Sequence, residues 1–329
     1  MVMSQEAVSE ILRESVDPVP VAAFLTALRV KGEVADELAG AVQALLARMT
    51  PFEVPAGLRP VLDTCGTGGD GANTVNISTA AAIVVAACGV RVAKHGNRSA
   101  SGNSGSAEVL TELGVRIDAD PSNLIRCLGE VGITFLYAPQ FHPALRHVGT
   151  IRRQLPFRTL FNLVGPLANP ARPDYQLIGV PDRARTYLLA MALSELRASP
   201  EDSGLRAFVI AGANGLDEVS LSGTNFVECV GGPMARLNHV WAPAHFQLPQ
   251  VANHKLAVTG PVESARKIRS MLSGEPGPIR NVILANAAAA LFLCEKAAGL
   301  VEGVALATQA VDRGDAARLL ERWATLSHQ

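Results

Sequence analysis

Apolar residues recur three and four positions apart through the first fifty residues. The stretch VPVAAFLTALRVKGEVADELAGAVQALLARM keeps this spacing, with a break near Lys31-Gly32, and predicts helices. The pattern then changes. Short apolar runs alternate with helical ones: VLDTC, a glycine loop and STAAAIVVAACGV, then VRVAKHG, a polar loop and SAEVLTELG. Asp120-Pro121 supplies a cap and first turn for PSNLIRCLGEVG, and ITFLYAP follows. Strand–loop–helix repetition predicts a parallel sheet covered by helices. Residues 142–168 turn helical and loop-rich again and are expected to pack back on the N-terminal helices. YQLIGV, RAFVIAG and NFVECV extend the sheet, and three helical stretches from about Pro261 close the chain. The expected fold class is α/β: a small all-helical domain plus a large α/β domain with a mostly parallel central sheet. The helical domain is expected at 1–58, completed by about 142–168. The α/β domain takes 59–141 and 169–329.

Composition narrows the classes. The chain has 329 residues, 48% of them hydrophobic, enough for a large core and a smaller one. A net charge of −1 with 18% charged residues gives no pull toward nucleic acid or an anionic membrane. Cys65, Cys88, Cys127, Cys229 and Cys294 are scattered without a CxxC pair, which reads as reduced core cysteines in a cytoplasmic protein. The start, MVMSQEAVSEILRES, is too polar for a secretory signal. The longest apolar run, AAAIVVAACGV, is too short to span a bilayer and suits a buried helix.

Chemistry enters at DTCGTGGDGANTVNIST, residues 63–79, where glycines stand at 66, 68, 69 and 71. A strand, a glycine turn and a helix start form the geometry that binds phosphate. Bare backbone lets N–H groups approach an anion, and the helix N-terminus adds a favourable dipole. Gly66 to Gly71 satisfies GxGxxG, but the next strand ends in Lys94 and His95 rather than the acid that a dinucleotide ribose requires. No Lys-Ser/Thr follows Gly71, so it is not a P-loop. A tight structural turn is the plain alternative. Asp70 needs a hydroxyl or a metal beside phosphate-binding amides, and a sugar phosphate offers both. Ser78 and Thr79 serve equally as helix caps or as ligand contacts.

KHGNRSASGNSGSAEVL, residues 94–110, repeats strand, polar glycine loop and helix. Lys94, His95 and Arg98 bring positive charge to the C-terminal edge of a strand, where ligands bind in open α/β sheets. Two such loops on successive strands favour a polyphosphate or a phosphorylated sugar. Downstream, AGANGLDEVSLSG places Asp217 and Glu218 after a strand and a glycine. Adjacent acids ordinarily face solvent, but beside two phosphate-type loops they suit Mg²⁺, which takes one or two carboxylates plus substrate oxygens. Arg152 and Arg153 in HVGTIRRQL face different directions on a helix, so at most one points into a cleft. An arginine fork there suits a carboxylate; a solvated basic face is the alternative. His142 and His147 lack metal-ligand spacing and read as structural.

The ordered motifs GTGGDG, NIST, KHGNRS, SGSAEVL, HPALRHV, RTLFNLVGPLANP, GLDE and NAAAAL, over about positions 17–310, resemble the anthranilate phosphoribosyltransferase family. The resemblance implies transfer of the phosphoribosyl group of 5-phosphoribosyl 1-diphosphate (PRPP) to the amine of anthranilate, releasing pyrophosphate in tryptophan biosynthesis. It implies a phosphoribosyl-binding α/β domain and a homodimer through the helical domain. By resemblance, PRPP would be held by Gly66, Gly69, Asp70, Thr74, Asn76, Ile77, Ser78 and Thr79. The stretch Lys94, His95, Gly96, Asn97, Arg98, Ser99, Ala100, Ser101 and Gly102 would join them, with Ser106. Anthranilate would meet Gly66, Asn97 and Arg152. Magnesium (Mg2+) would sit near Ser78, Asp217 and Glu218. The chain departs from the pattern with Gly102 where a second serine is common and Asn103 where lysine or arginine is frequent, and it starts about one helix short.

Substitution at the anomeric carbon builds positive charge on the sugar as pyrophosphate leaves. The expected tasks are stabilising that leaving group and aligning the amine. An aniline-type amine carries no proton to remove before attack, so no general base is expected. Two alternatives differ in class: a nucleoside phosphorylase of the same superfamily, against which GTGGD and the GLDE pair speak, and a non-enzymatic nucleic-acid-binding relative, against which the net charge of −1 speaks.

Overall fold

The structure is a computed structural model and describes residues 1–13, 16–68, 71–99, 104–198, 202–232 and 239–329. Three helices come first: α1 (Val2–Ile11), α2 (Pro18–Lys31) and α3 (Ala35–Ala47). Asp17 starts α2 by accepting the Val19 N–H at 2.9 Å, and Gly32, at φ 85°, ends it. Strand and helix then alternate: β1 (Val61–Gly66), α4 (Ile77–Ala87), β2 (Arg91–Gly96), α5 (Ser106–Glu112), α6 (Pro121–Glu130) and β3 (Ile133–Tyr137). Asp120 caps α6 through the Asn123 N–H at 3.1 Å. Short helices α7 (Ala138–Phe141), α8 (Leu145–Gln154) and α9 (Leu160–Val164) follow. The sheet resumes with β4 (Tyr175–Gly179), α10 (Arg183–Leu196), β5 (Arg206–Ala211), β6 (Asn225–Val230) and β7 (His239–Trp241), followed by α11 (Pro243–Phe246).

Four helices close the chain: α12 (Pro261–Leu272), α13 (Pro278–Leu293), α14 (Leu300–Asp312) and α15 (Asp315–Leu326). The sequence pattern predicts three. Gly314, at φ 72°, divides α14 from α15, a break too short to interrupt the apolar spacing.

Among the described residues the sheet has seven strands, in the order β3-β2-β1-β4-β5-β6-β7. Pairing is parallel from β3 through β5 and antiparallel at β5–β6 and β6–β7. Residues alternate between two cores, as a sheet covered on both faces requires. Phe208 and Ile210 of β5 join the core with α4, α13 and α14. Ala207, Val209 and Ala211 join the one that contains α1–α3 and α10. Val148 of α8 and Leu160, Phe161, Leu163 and Val164 of α9 lie in that second core. Segment 142–168 thus packs on the N-terminal helices. The β1–β4 pairing sets Gly66 beside Gly179, where strand order reverses direction; crevices at such points hold ligands in open α/β folds.

Candidate active site

Three loops meet at the C-terminal ends of β1, β2 and β5. The first continues β1 through Gly68. Its Thr67 N–H donates to the Gly179 carbonyl at 2.9 Å, and its Gly68 N–H donates to Asp217 Oδ2 at 2.7 Å. Arg158 Nη1 donates to the Gly68 carbonyl at 2.9 Å. A Cβ on Gly66 would come within 2.5 Å of Asp217 Oδ2, and one on Gly179 would overlap the Asp217 carbonyl oxygen. Both positions therefore need glycine to let the acid pair approach. Gly69 and Asp70 lie outside the described residues.

The pair itself is not a solvated surface feature. Asp217 is buried and Glu218 partly so. Glu218 Oε1 accepts the Ser78 N–H at 3.0 Å, in the first turn of α4. Burial, then repulsion from Asp217, pushes the Glu218 carboxyl up to about 8, against lowering by Lys94 and Ser78. Two desolvated carboxylates side by side favour a proton or a cation between them. Their oxygens, with the Ser78 hydroxyl, are hard donors of the kind that Mg²⁺ takes together with substrate oxygens. The residues present fit that ion.

Ser78 and Thr79 do not cap α4; its N-cap residue, Asn76, makes no side-chain cap bond either. Asn76 Oδ1 instead accepts from the Ser104 hydroxyl at 2.8 Å and the Ser264 hydroxyl at 3.1 Å. The Ser264 Oγ in turn accepts the Asn76 N–H at 3.1 Å. Helix α12 thereby fixes the joint between the two polar loops. Thr74 lies in an antiparallel bridge with Ala257, and the Ile77 side chain is in the core, leaving only its backbone for a ligand. Thr79 Oγ1 is buried with no hydrogen-bond partner among the described residues.

Lys94 is 2% exposed. Its ammonium donates to the Thr64 carbonyl and, at 3.3 Å, to Ser78 Oγ, so it sits beneath the first loop rather than at its rim. His95 is also buried. Its ring packs edge-on against His142, with centroids 5.3 Å apart, and its backbone N–H donates to Asp63 Oδ1. Burial, then the neighbouring His142, lowers His95 to about 3, so the ring is neutral. A Cβ on Gly96 would come within 2.7 Å of Phe135. Asn97 and Arg98 are exposed; Arg98 Nε donates to the Tyr137 hydroxyl at 3.1 Å. The Ser106 hydroxyl donates to the Asn97 carbonyl at 3.3 Å. Glu108 closes the loop by accepting the Ser99 and Gly105 N–H groups at 3.1 and 2.8 Å. Ala100, Ser101, Gly102 and Asn103 lie outside the described residues.

On α8, Arg152 and Arg153 diverge. Arg153 is exposed and donates to the Thr150 hydroxyl at 3.2 Å. Arg152 is partly buried, 5.7 Å from the Phe161 ring centroid, and desolvation lowers its pKa. No carboxylate among the described residues pairs with it, so its fork is available to an anion. His142 donates through Nε2 to the Ala168 carbonyl at 2.8 Å, and His147 lies 2.8 Å from the Ile11 carbonyl.

For several residues that shape the site the sequence predicts no role of their own, although some stand inside the quoted motifs. Asn286, in NAAAAL, accepts the Val219 N–H and donates to the Val219 carbonyl, each at 2.9 Å. Ser264, Arg158 and Asp63 are the others. Asp63 is fully buried, raised to about 6 by burial, and accepts from Asn169 at 2.8 Å. The Gly105-x-x-Glu108 spacing of a capping box could have shown Glu108.

Comparison with known proteins covers nearly the whole chain. Residues 58–317 match the glycosyl transferase family, a/b domain, and residues 3–49 match its helical bundle domain. The chain is 46% identical over 329 residues to anthranilate phosphoribosyltransferase of Thermomicrobium roseum, covering 99% of this chain and 92% of that one. It is 47% identical over 325 residues to anthranilate phosphoribosyltransferase 2 of Streptomyces coelicolor, covering 98% and 94%. The crystal structure of the Thermus thermophilus enzyme superposes with a TM-score of 0.91 at 39% identity, covering 99% and 95%. The Saccharomyces cerevisiae enzyme in complex with PRPP and Mg superposes with a TM-score of 0.89 at 30% identity, covering 99% and 92%.

Proposed function

The chain belongs to the anthranilate phosphoribosyltransferase family, and from that premise we propose that it transfers the 5-phosphoribosyl group of PRPP to the amine of anthranilate, releasing pyrophosphate in tryptophan biosynthesis. The observation that carries this reading is the bonding of Asp217 and Glu218 to the backbone of the glycine loop and of the first turn of α4. Carboxylates set against anion-binding amides make sense where a cation and a polyphosphate meet.

The diphosphate lies against the loop after Gly66 and the start of α4, where the helix dipole favours negative charge. The ribose 5-phosphate takes the second loop, from Gly96 to Ser99 and Ser106, held in shape by Glu108. Lys94 adds positive charge from below through Ser78. Asn76, pinned by Ser104 and Ser264, sets the distance between the loops. Gly69, Asp70, Ala100, Ser101 and Gly102 belong to the same two loops in this assignment. Anthranilate enters beside Gly66 and Asn97 with its carboxylate on Arg152. That contact aligns the amine with the anomeric carbon. No residue takes a proton before attack, so catalysis rests on orientation and leaving-group stabilisation.

Ser78, Asp217 and Glu218 would hold Mg²⁺. When bound, the ion neutralises charge on the pyrophosphate. The helical part at 1–58 and 142–168 is proposed to make a homodimer. Val2, Met3, Val19, Val30 and Val34 expose apolar surface there, and light scattering tests the assembly. Among the described residues no helix is long and apolar enough to cross a membrane, which is consistent with a cytoplasmic location. Mixing protein, PRPP, Mg²⁺ and anthranilate and following anthranilate fluorescence tests the reaction. Fluorescence that stays constant at high enzyme concentration overturns it.

A further inference from the structure

Beside the glycine loop, a cleft of about 50 Å³ opens between the helical part and the α/β part. Arg29 and Glu33 line it from the end of α2 and just beyond; Thr67 from the glycine loop; Arg158 and Thr159 from the approach to α9; Arg185 from α10. Three arginines and one glutamate thus line a single cleft, the arginines coming from three separate segments. Arg185 also pairs with Asp182 at 3.2 Å, and Arg158 uses one donor on the Gly68 carbonyl. A guanidinium has five donors in a planar fork, so both retain N–H groups for a ligand. Arg29 has no ion pair among the described residues.

Thr67 and Thr159 line the same cleft; their Oγ1 atoms are buried behind its wall without a hydrogen-bond partner among the described residues, and Thr159 is 2% exposed. Buried hydroxyls are seldom left without a partner. A water needs only about 10–15 Å³ of such space, so the cleft has room for a group of several heavy atoms.

We infer that this cleft binds one small oxyanion of phosphate size, a site separate from the phosphoribosyl-transfer centre. The bound anion bridges α2 to α10 and fixes Arg158, whose other contact is the backbone of the glycine loop. The inference stands without the phosphoribosyl-transfer reading, because its readout is equilibrium binding.

Inorganic phosphate is the probe, titrated calorimetrically into the full chain with saturating PRPP and Mg²⁺ present to occupy the other anion site. A single equivalent of phosphate should still bind. Arg29→Gln with Arg185→Gln should weaken that binding roughly tenfold or more, the loss of two charge-assisted contacts, with turnover in phosphate-free buffer unchanged. Glu33→Gln, which removes the one carboxylate that lines the cleft, should tighten binding several-fold. That opposite sign separates a site from general destabilisation. Acetate titrated in the same way distinguishes a carboxylate ligand, which should bind more weakly for want of two oxygens. Phosphate wholly displaced by PRPP, or held equally by the Arg29/Arg185 variant, or weakened by Glu33→Gln, overturns the inference. Should PRPP itself fail to bind, the transfer reading falls, while the phosphate titrations on the three chains still decide this one.

Discussion

Asn286 of α13 grips Val219 by both of its backbone polar groups, at 2.9 Å each, one residue after Glu218. Its amide also donates to the Val282 carbonyl within its own helix. The clamp fixes the backbone immediately after the acid pair. Asn286→Ala leaves a buried N–H and a buried carbonyl unsatisfied. This should cost about 1–3 kcal/mol of stability and weaken Mg²⁺ binding in a variant that still folds. Thermal denaturation paired with a Mg²⁺ titration checks both. An intact Mg²⁺ affinity would leave Asn286 a purely structural residue.

Gly179→Ala tests the close approach from the other side. The new methyl would overlap the Asp217 carbonyl oxygen, and backbone cannot yield as a side chain end does. A destabilisation of about 1–3 kcal/mol is expected, with loss of activity well beyond what the unfolded fraction explains. Comparing specific activity per folded molecule with the melting curve is the check. Full activity in the folded fraction refutes the contact's importance.

Arg152 and Arg153 offer a matched pair. Loss of one charge-assisted contact costs about 1.5–3 kcal/mol, roughly ten- to a hundredfold in specificity constant. Arg152→Ala should raise the KM for anthranilate by that factor and leave PRPP affinity nearly intact. Arg153→Ala should do neither, because its guanidinium faces solvent and Thr150. Steady-state kinetics with each substrate varied settles it; similar behaviour of the two variants removes Arg152 from the acceptor site.

Glu218 gives the chain a pH signature. Its carboxyl stands at about 8, against an ordinary 4.5. Between those values the folded chain keeps a proton that the unfolded chain has lost, so stability falls as pH rises. Asp63, raised to about 6, acts in the same direction, but its effect is complete above that pH. His95, lowered from 6.5 to about 3, costs stability only as pH drops below 6.5. The interval from 6.5 to about 8 therefore belongs to Glu218. In chelator, the melting temperature should decline across it. Glu218→Gln should flatten the decline, and Mg²⁺, by binding the deprotonated pair, should reverse it. A flat wild-type curve in chelator contradicts the placement of Glu218.

Local chemistry made much of this legible. The Asp120-Pro121 cap, the break at Lys31-Gly32 and the buried helix from Ile77 follow from spacing within a dozen residues. The divergence of Arg152 and Arg153 follows from helix geometry. The acid pair could be suspected beside phosphate-type loops. Gly179, Asn286 and Ser264 could not, because each acts on a partner distant in sequence that only the tertiary fold supplies. Lys94 and His95 show a limit of a different kind. Their charge and position at a strand end place them at a ligand-binding edge, and the sequence does not show that both side chains are packed beneath the loop. Alternation along β2 and the neighbouring β3 decides that, and a six-residue strand buried on both faces shows little alternation to read.

The bond from the Gly68 N–H to Asp217 joins positions 149 residues apart, and the Asn76–Ser264 pair spans 188. On a ribosome, the glycine loop thus emerges long before its carboxylate, and the carboxylate before the helix that clamps it. A nascent or truncated chain ending before α13 has both glycine loops but lacks Asn286, which holds the backbone next to the acid pair. Stabilisation by substrate or Mg²⁺ is accordingly expected of the full chain and not of a fragment that stops short of α13.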